Sequence, residues 1–140
     1  MATSTPVASR TKKVVRKAFT FDGASGSGAT GSVAVLACTG TVWVRCINVH
    51  CTTSLTSSSG TIALGISGQT DALISPTTAS NIDAGMQWAD TVPAKIADQP
   101  LGNFILSDNL IFTIATAAIS AGAVEVEVIF ESLSADGYLS

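Results

Sequence analysis

The stretch Ala123–Ser132, AVEVEVIFES, decides the fold. Val124, Val126, Val128 and Phe130 alternate with Glu125, Glu127, Ile129 and Glu131. Successive side chains of a strand point to opposite faces, so this period of two puts the valines and Phe130 on one side. The glutamates take the other side. The reading is a half-buried strand, with its apolar row toward a core and its carboxylates toward solvent or a partner.

Working outward, the rest of the chain repeats that grammar. Val15, Lys17, Phe19 and Phe21 share one face of a first strand that begins at Val14, and Asp22–Gly31 (DGASGSGATG) is a glycine-rich loop. Ser32–Cys38 is a second strand. Thr41–Thr52 is a third, with Val42, Val44, Cys46, Asn48 and His50 on one face and Trp43, Arg45, Ile47, Val49 and Cys51 on the other. Both of those faces are largely apolar, which suits a central strand covered on both sides. Thr53–Gly60 reads as a flexible turn, Thr61–Ile66 as a strand, and Ala72–Ile74 as a short strand stopped by Pro76. Between Thr77 and Pro100 the pattern is least regular; Gly85 cuts short any helix begun at Ser80, and Pro93 and Pro100 limit pairing. Phe104–Leu106 and Leu110–Ala115 are further strand segments before the final one. No segment sustains a 3.6-residue period over ten residues.

Some eight short strands with glycine-rich turns predict an all-β fold, an antiparallel β-sandwich that is jelly-roll-like. An immunoglobulin-like sandwich ranks second, since its cysteine pair flanking a tryptophan is absent. The expected organisation is an extended N-terminal arm over residues 1–13 and a single sandwich domain over residues 14–140. At 140 residues the chain is long enough for one core without disulfides or a metal.

Composition narrows the class. Hydrophobic residues make up 46% of the chain and charged residues only 12%, so it is too apolar to stay disordered. The 34 serines and threonines supply most of the polarity. A surface so poor in charge favours an assembled protein over a free monomer. The most apolar run, Leu110–Ile119, is too short to span a bilayer. No apolar run follows the basic residues near the start, so a chain without a secretory signal, made in a cytoplasm with reduced thiols, is expected.

The net charge of −3 hides a segregation. Residues 1–17 carry Arg10, Lys12, Lys13, Arg16 and Lys17 and no acid, whereas the remainder sets Arg45 and Lys95 against ten acids. A basic arm on an acidic body reads as an interaction tail. Arm docking onto an acidic neighbour is favoured over nucleic-acid contact, because no aromatic residue is interleaved for base stacking and the body lacks a basic face.

Four candidate chemistries fail on spacing or on structural context. Gly26–Gly31 matches the dinucleotide-loop glycine pattern, but a β-rich run follows where a helix is needed to meet the pyrophosphate. Cys46 and His50 lie about 13 Å apart along a strand at ~3.3 Å per residue. Zinc needs its ligands within ~2.3 Å of one ion, and Cys51 points the other way. His50, the single histidine, sits within a strand and no G-x-S-x-G elbow accompanies it. The aspartates at turns, Asp71, Asp83, Asp90, Asp98 and Asp108, lack calcium-loop spacing and read as turn formers. No catalytic, cofactor or metal site is expected, and the chain is read as a non-enzyme.

Three segments carry a resemblance: Gly60–Gly65 (GTIALG), Asn81–Gly85 (NIDAG) with Trp88, and Ala117–Gly122 (AAISAG) through Leu133–Gly137 (LSADG). In style and order they resemble the head decoration (cement) proteins of tailed bacteriophages. The resemblance implies a virion structural protein on the capsid exterior, a homotrimer that reinforces the major capsid protein lattice, with no membrane partner. Two alternatives remain open. One is a tail or fibre module recognising a host surface, for which Trp88 with Asp83 and Asp90 is the candidate cluster. The other is a self-assembling jelly-roll coat protein whose arm contacts nucleic acid.

Overall fold

The computed structural model describes residues 11–96 and 101–140. Ten strands follow in order: β1 (Lys13–Thr20), β2 (Gly31–Leu36), β3 (Cys38–Thr39), β4 (Val42–Thr56), β5 (Thr61–Ile66), β6 (Gln69–Thr78), β7 (Phe104–Leu106), β8 (Leu110–Ala115), β9 (Ala121–Ser132) and β10 (Tyr138–Leu139). One 3₁₀ turn, Ala79–Asn81, follows β6. Every pairing between strands is antiparallel.

Two four-stranded sheets face each other, one ordered β1-β9-β4-β7 and the other β2-β8-β5-β6; β10 and β3 make a separate short ladder. The chain passes from one sheet to the other between β1 and β2, back through β3 to β4, then between β4 and β5, β6 and β7, and again on each side of β8. This is the antiparallel, jelly-roll-like β-sandwich that the alternating pattern predicts.

The deciding stretch behaves as read. Val124, Val126, Val128 and Phe130 are buried while Glu125 is exposed, and β9 lies between β1 and β4 in the middle of its sheet. Across the sandwich these side chains meet a layer that includes Leu36, Ile62, Leu64, Ile74, Leu110, Phe112 and Ile114. Burying one such side chain is worth about 1.5–3 kcal/mol, so this double layer dominates stability. Phe112 anchors an aromatic cluster, with ring centroids 5.4 Å from Phe19, 6.1 Å from Phe21 and 6.0 Å from Trp88.

Two strands depart from the expected pattern. On β4, Val44 pairs with Phe130 and Cys46 with Ile129, so Arg45 is an extra residue with no opposite number. Such a bulge reverses the facing of everything beyond it. Val42, Val44, Ile47, Val49 and Cys51 therefore point inward, whereas Trp43, Cys46, Asn48 and His50 do not. The uninterrupted alternation expected for Thr41–Thr52 is corrected on this point.

The other departure is β6, which runs ten residues and through Pro76 instead of stopping before it. It is an edge strand, where a missing N–H costs no ladder bond if it faces outward. The β5–β6 connection closes in two residues, with Ile66 paired to Gln69 and Gly68 at φ +89°, a left-handed value that glycine adopts without strain.

Candidate interaction surface

The basic residues singled out in the sequence divide between a strand and its approach. Arg10 lies outside the described residues, as does most of the 1–13 arm. Lys12 directly precedes β1, and Lys13, Arg16 and Lys17 belong to it. β1 is an edge of its sheet, so these cations stand along a boundary of the sandwich. Lys13 and Lys17 share the side of Val15 and Phe19, yet both remain exposed at this rim.

Their local partners differ. Arg16 pairs with Glu127, directly opposite on β9, with Nε 2.5 Å from Oε2. Lys13 Nζ donates to Ser132 Oγ at 3.4 Å and lies 5.6 Å from the centre of the Tyr138 ring. Lys12 and Lys17 have no ion-pair or hydrogen-bond partner among the described residues. The spacing that made these residues look like one arm therefore covers two groups, one partly engaged and one open.

The opposite edge of the same sheet is apolar. Leu101 bridges to Ile47, and Gly102 lies so close to the Arg45 carbonyl that a Cβ would collide with it. That approach brings β7 alongside Val42–Val44, pairing Ile105 with Trp43. Trp43, Asn103, Phe104, Ile105 and Leu133 line a recess of about 330 Å³. The Arg45 guanidinium stacks 4.8 Å from the Trp43 ring centre, and its Nε is 3.4 Å from Glu131 Oε2. Ile105 is 68% exposed, and Val92 and Ile96, in the segment that reaches this edge, are more exposed still. The sequence pattern missed this edge because its apolar residues come from three separate segments.

The Trp88 cluster does not form. Trp88 is buried in the core while Asp83 and Asp90 stay exposed, so no surface aromatic is offered for recognition there. The three cysteines are free thiols. Burial pushes the Cys51 thiol above its ordinary value, and burial with the Asp108 charge does the same for Cys38. Among the described residues no three His, Cys, Asp or Glu side chains are grouped to hold a metal. His50 is exposed in mid-strand, opposite Glu125. No described helix is long and apolar enough to cross a membrane.

The Asp22–Gly31 loop is a tied turn. Asp22 Oδ1 accepts from Ala24 N at 2.9 Å and from the Ser27 hydroxyl, and these bonds hold the carboxyl below its ordinary pKa. Gly28 accepts from Ile119 N at 2.8 Å, fastening the loop to the β8–β9 connection.

No protein-family model matches this chain, and no curated protein does. Among solved structures it is similar to a chain of the cyanophage Pam1 capsid asymmetric unit, with a TM-score of 0.54 and 18% identity. The likeness covers 94% of this chain and 91% of that one, so the two share a fold over nearly their whole lengths.

Proposed function

We propose that this protein is a non-enzymatic structural component of a phage virion, bound on the capsid exterior as a head decoration (cement) protein. The observation that carries the reading is the end-to-end fold likeness to a chain of a cyanophage capsid. Three further features support it: few charges, an exposed apolar edge beside β7, and a cationic edge at β1. The partner is the major capsid protein lattice. Arg10, Lys12, Lys13, Arg16 and Lys17 form the docking set, and the working unit is a homo-oligomer, a trimer.

The mechanism is linkage. A protein that binds the assembled shell better than its free subunits stabilises the shell in proportion to occupancy. Each exposed ion pair contributes only about 0–1 kcal/mol, so the cations must act together with apolar contact and main-chain pairing.

Co-sedimentation with empty heads tests this. Full-length protein is expected to bind heads and raise their disassembly temperature. A chain lacking residues 2–12 should keep its β-sheet circular dichroism and bind more weakly, and binding of the full chain should fall as salt rises. Failure to bind heads at any salt overturns the reading. Shells formed by the protein alone would favour a self-assembling coat protein, and loss of genome retention alone on truncation would favour an arm that contacts nucleic acid.

A further inference from the structure

We infer that copies of this chain join head to tail, the β1 edge of one against the β7 edge of the next; the inference rests on the assembled, virion-structural reading and deepens it. β1 and β7 are the two edges of one four-stranded sheet. Each of the three pairings between them is antiparallel, so β1 and β7 run in opposite directions. A second copy laid alongside in the same orientation therefore brings its β1 antiparallel to the first copy's β7. The sheet continues across the boundary without turning either molecule over.

The segments that flank the apolar β7 edge complement the β1 edge in charge. Lys12, Lys13, Arg16 and Lys17 lie on the β1 edge, and the described residues from Ile82 to Asn109 carry Asp83, Asp90 and Asp108 against Lys95. All three of those aspartates are exposed.

The rows agree as well. Lys13, Phe130, Val44 and Phe104 form one row across the sheet, and Lys12 is one residue beyond it, at the level of Glu131, Trp43 and Ile105. That row ends three residues from Asp108. Lys17, Val126 and Val49 form another row, which reaches Trp88 through its N–H to the Val49 carbonyl at 2.9 Å. Trp88 enters the hairpin in which Gln87 pairs outward with Ala94, and Asp90, two residues on, lies in the turn of that hairpin. Lateral repetition thus sets Lys12 near Asp108 and Lys17 near Asp90, and these are the two β1-side cations with no ion-pair or hydrogen-bond partner among the described residues.

Apolar contact supplies what exposed charges cannot. Val14 is 57% exposed on β1, and Ile105, Val92 and Ile96 are exposed on the facing edge. Because β7 has only three residues, the shared ladder is short and side-chain burial carries most of the contact. A joint between unlike patches is heterologous: it closes into a ring where the rotation allows, or extends across a lattice.

Sedimentation velocity on the full chain without heads tests the pairing. The unaltered protein is expected to sediment as an oligomer. K12E/K17E and D90K/D108K should each weaken self-association by about 100-fold, because like charges then face each other. The chain carrying all four substitutions should recover it. The neutral pair K12Q/K17Q should give a smaller loss, which keeps the test open if a reversal impairs folding. An unaltered chain that stays monomeric overturns the inference, as does a folded four-site variant that fails to reassemble. A monomer that still binds heads overturns the edge pairing and leaves the virion role standing; an oligomer that ignores heads does the reverse.

Discussion

Trp88 donates its indole N–H to Thr77 Oγ1 across 2.9 Å, and both residues are sealed from solvent. The bond ties the irregular segment after the 3₁₀ turn to β6 of the opposite sheet. Thr77 Oγ1 in turn donates to the Ser75 carbonyl at 3.0 Å, so the hydroxyl serves as both acceptor and donor. Thr77 is the only buried polar residue among the described residues, and its bond to Trp88 is the one side-chain-to-side-chain hydrogen bond among them that lies wholly inside the core.

Replacing Thr77 by Val keeps the shape and leaves the indole N–H buried without an acceptor. The expected cost is about 1–3 kcal/mol, read as a lower urea midpoint at unchanged slope. Thr77→Ser keeps the acceptor and should lose less. Equal midpoints for the valine and serine variants would show that the bond contributes nothing.

The reactivity of the thiols should follow the bulge in β4. Cys51 is wholly buried, its Sγ donating to the Thr53 carbonyl at 3.1 Å, while Cys46 is half-buried and faces away from the core. The thiolate is the reactive form, and burial disfavours it at Cys51. Iodoacetamide followed by mass spectrometry should therefore label Cys46 first and Cys51 last, after unfolding. Because the folded-state pKa of Cys51 is raised above its ordinary 9.0, the folded form holds that proton more tightly. Its contribution to stability is complete below about pH 9 and declines as pH rises beyond it. Cys51→Ala should flatten that alkaline decline.

The sequence carried the fold wherever one strand had one face buried. β9 shows this most plainly, since nothing interrupts its period of two and its register follows from it. β4 was misread beyond Val44 because a bulge adds a residue without any signature in composition. Trp88 was misread for a different reason: aromatic and acidic neighbours in sequence resemble a recognition pocket, and only tertiary packing reveals that the ring turns inward. The β7 edge was illegible because Trp43, Ile105 and Leu133 are far apart in the chain and meet only through sheet pairing. The cations of β1 were visible, but their division into engaged and open groups depends on Glu127, Ser132 and Tyr138 across the ladder.

The Asp22 turn gives a prediction whose sign is fixed by its bonds. The Ser27 hydroxyl is the larger cause holding the carboxyl down, and the Ala24 N–H the next; both favour the charged form. The group is fully exposed, so burial opposes them little. A carboxyl whose folded pKa lies below its ordinary 3.8 contributes stability that is present above 3.8. That contribution is lost as pH falls through the folded value. Ser27→Ala removes the larger cause, so the Asp22 carboxyl should titrate at higher pH, closer to 3.8, in a carbon-13 NMR titration of the two proteins. The urea midpoints of Ser27→Ala and the unaltered chain should differ at neutral pH and converge in acid, once the carboxylate is protonated in both. Identical Asp22 titration curves would show that the hydroxyl does not stabilise the charge, and that main-chain bonds alone hold the loop.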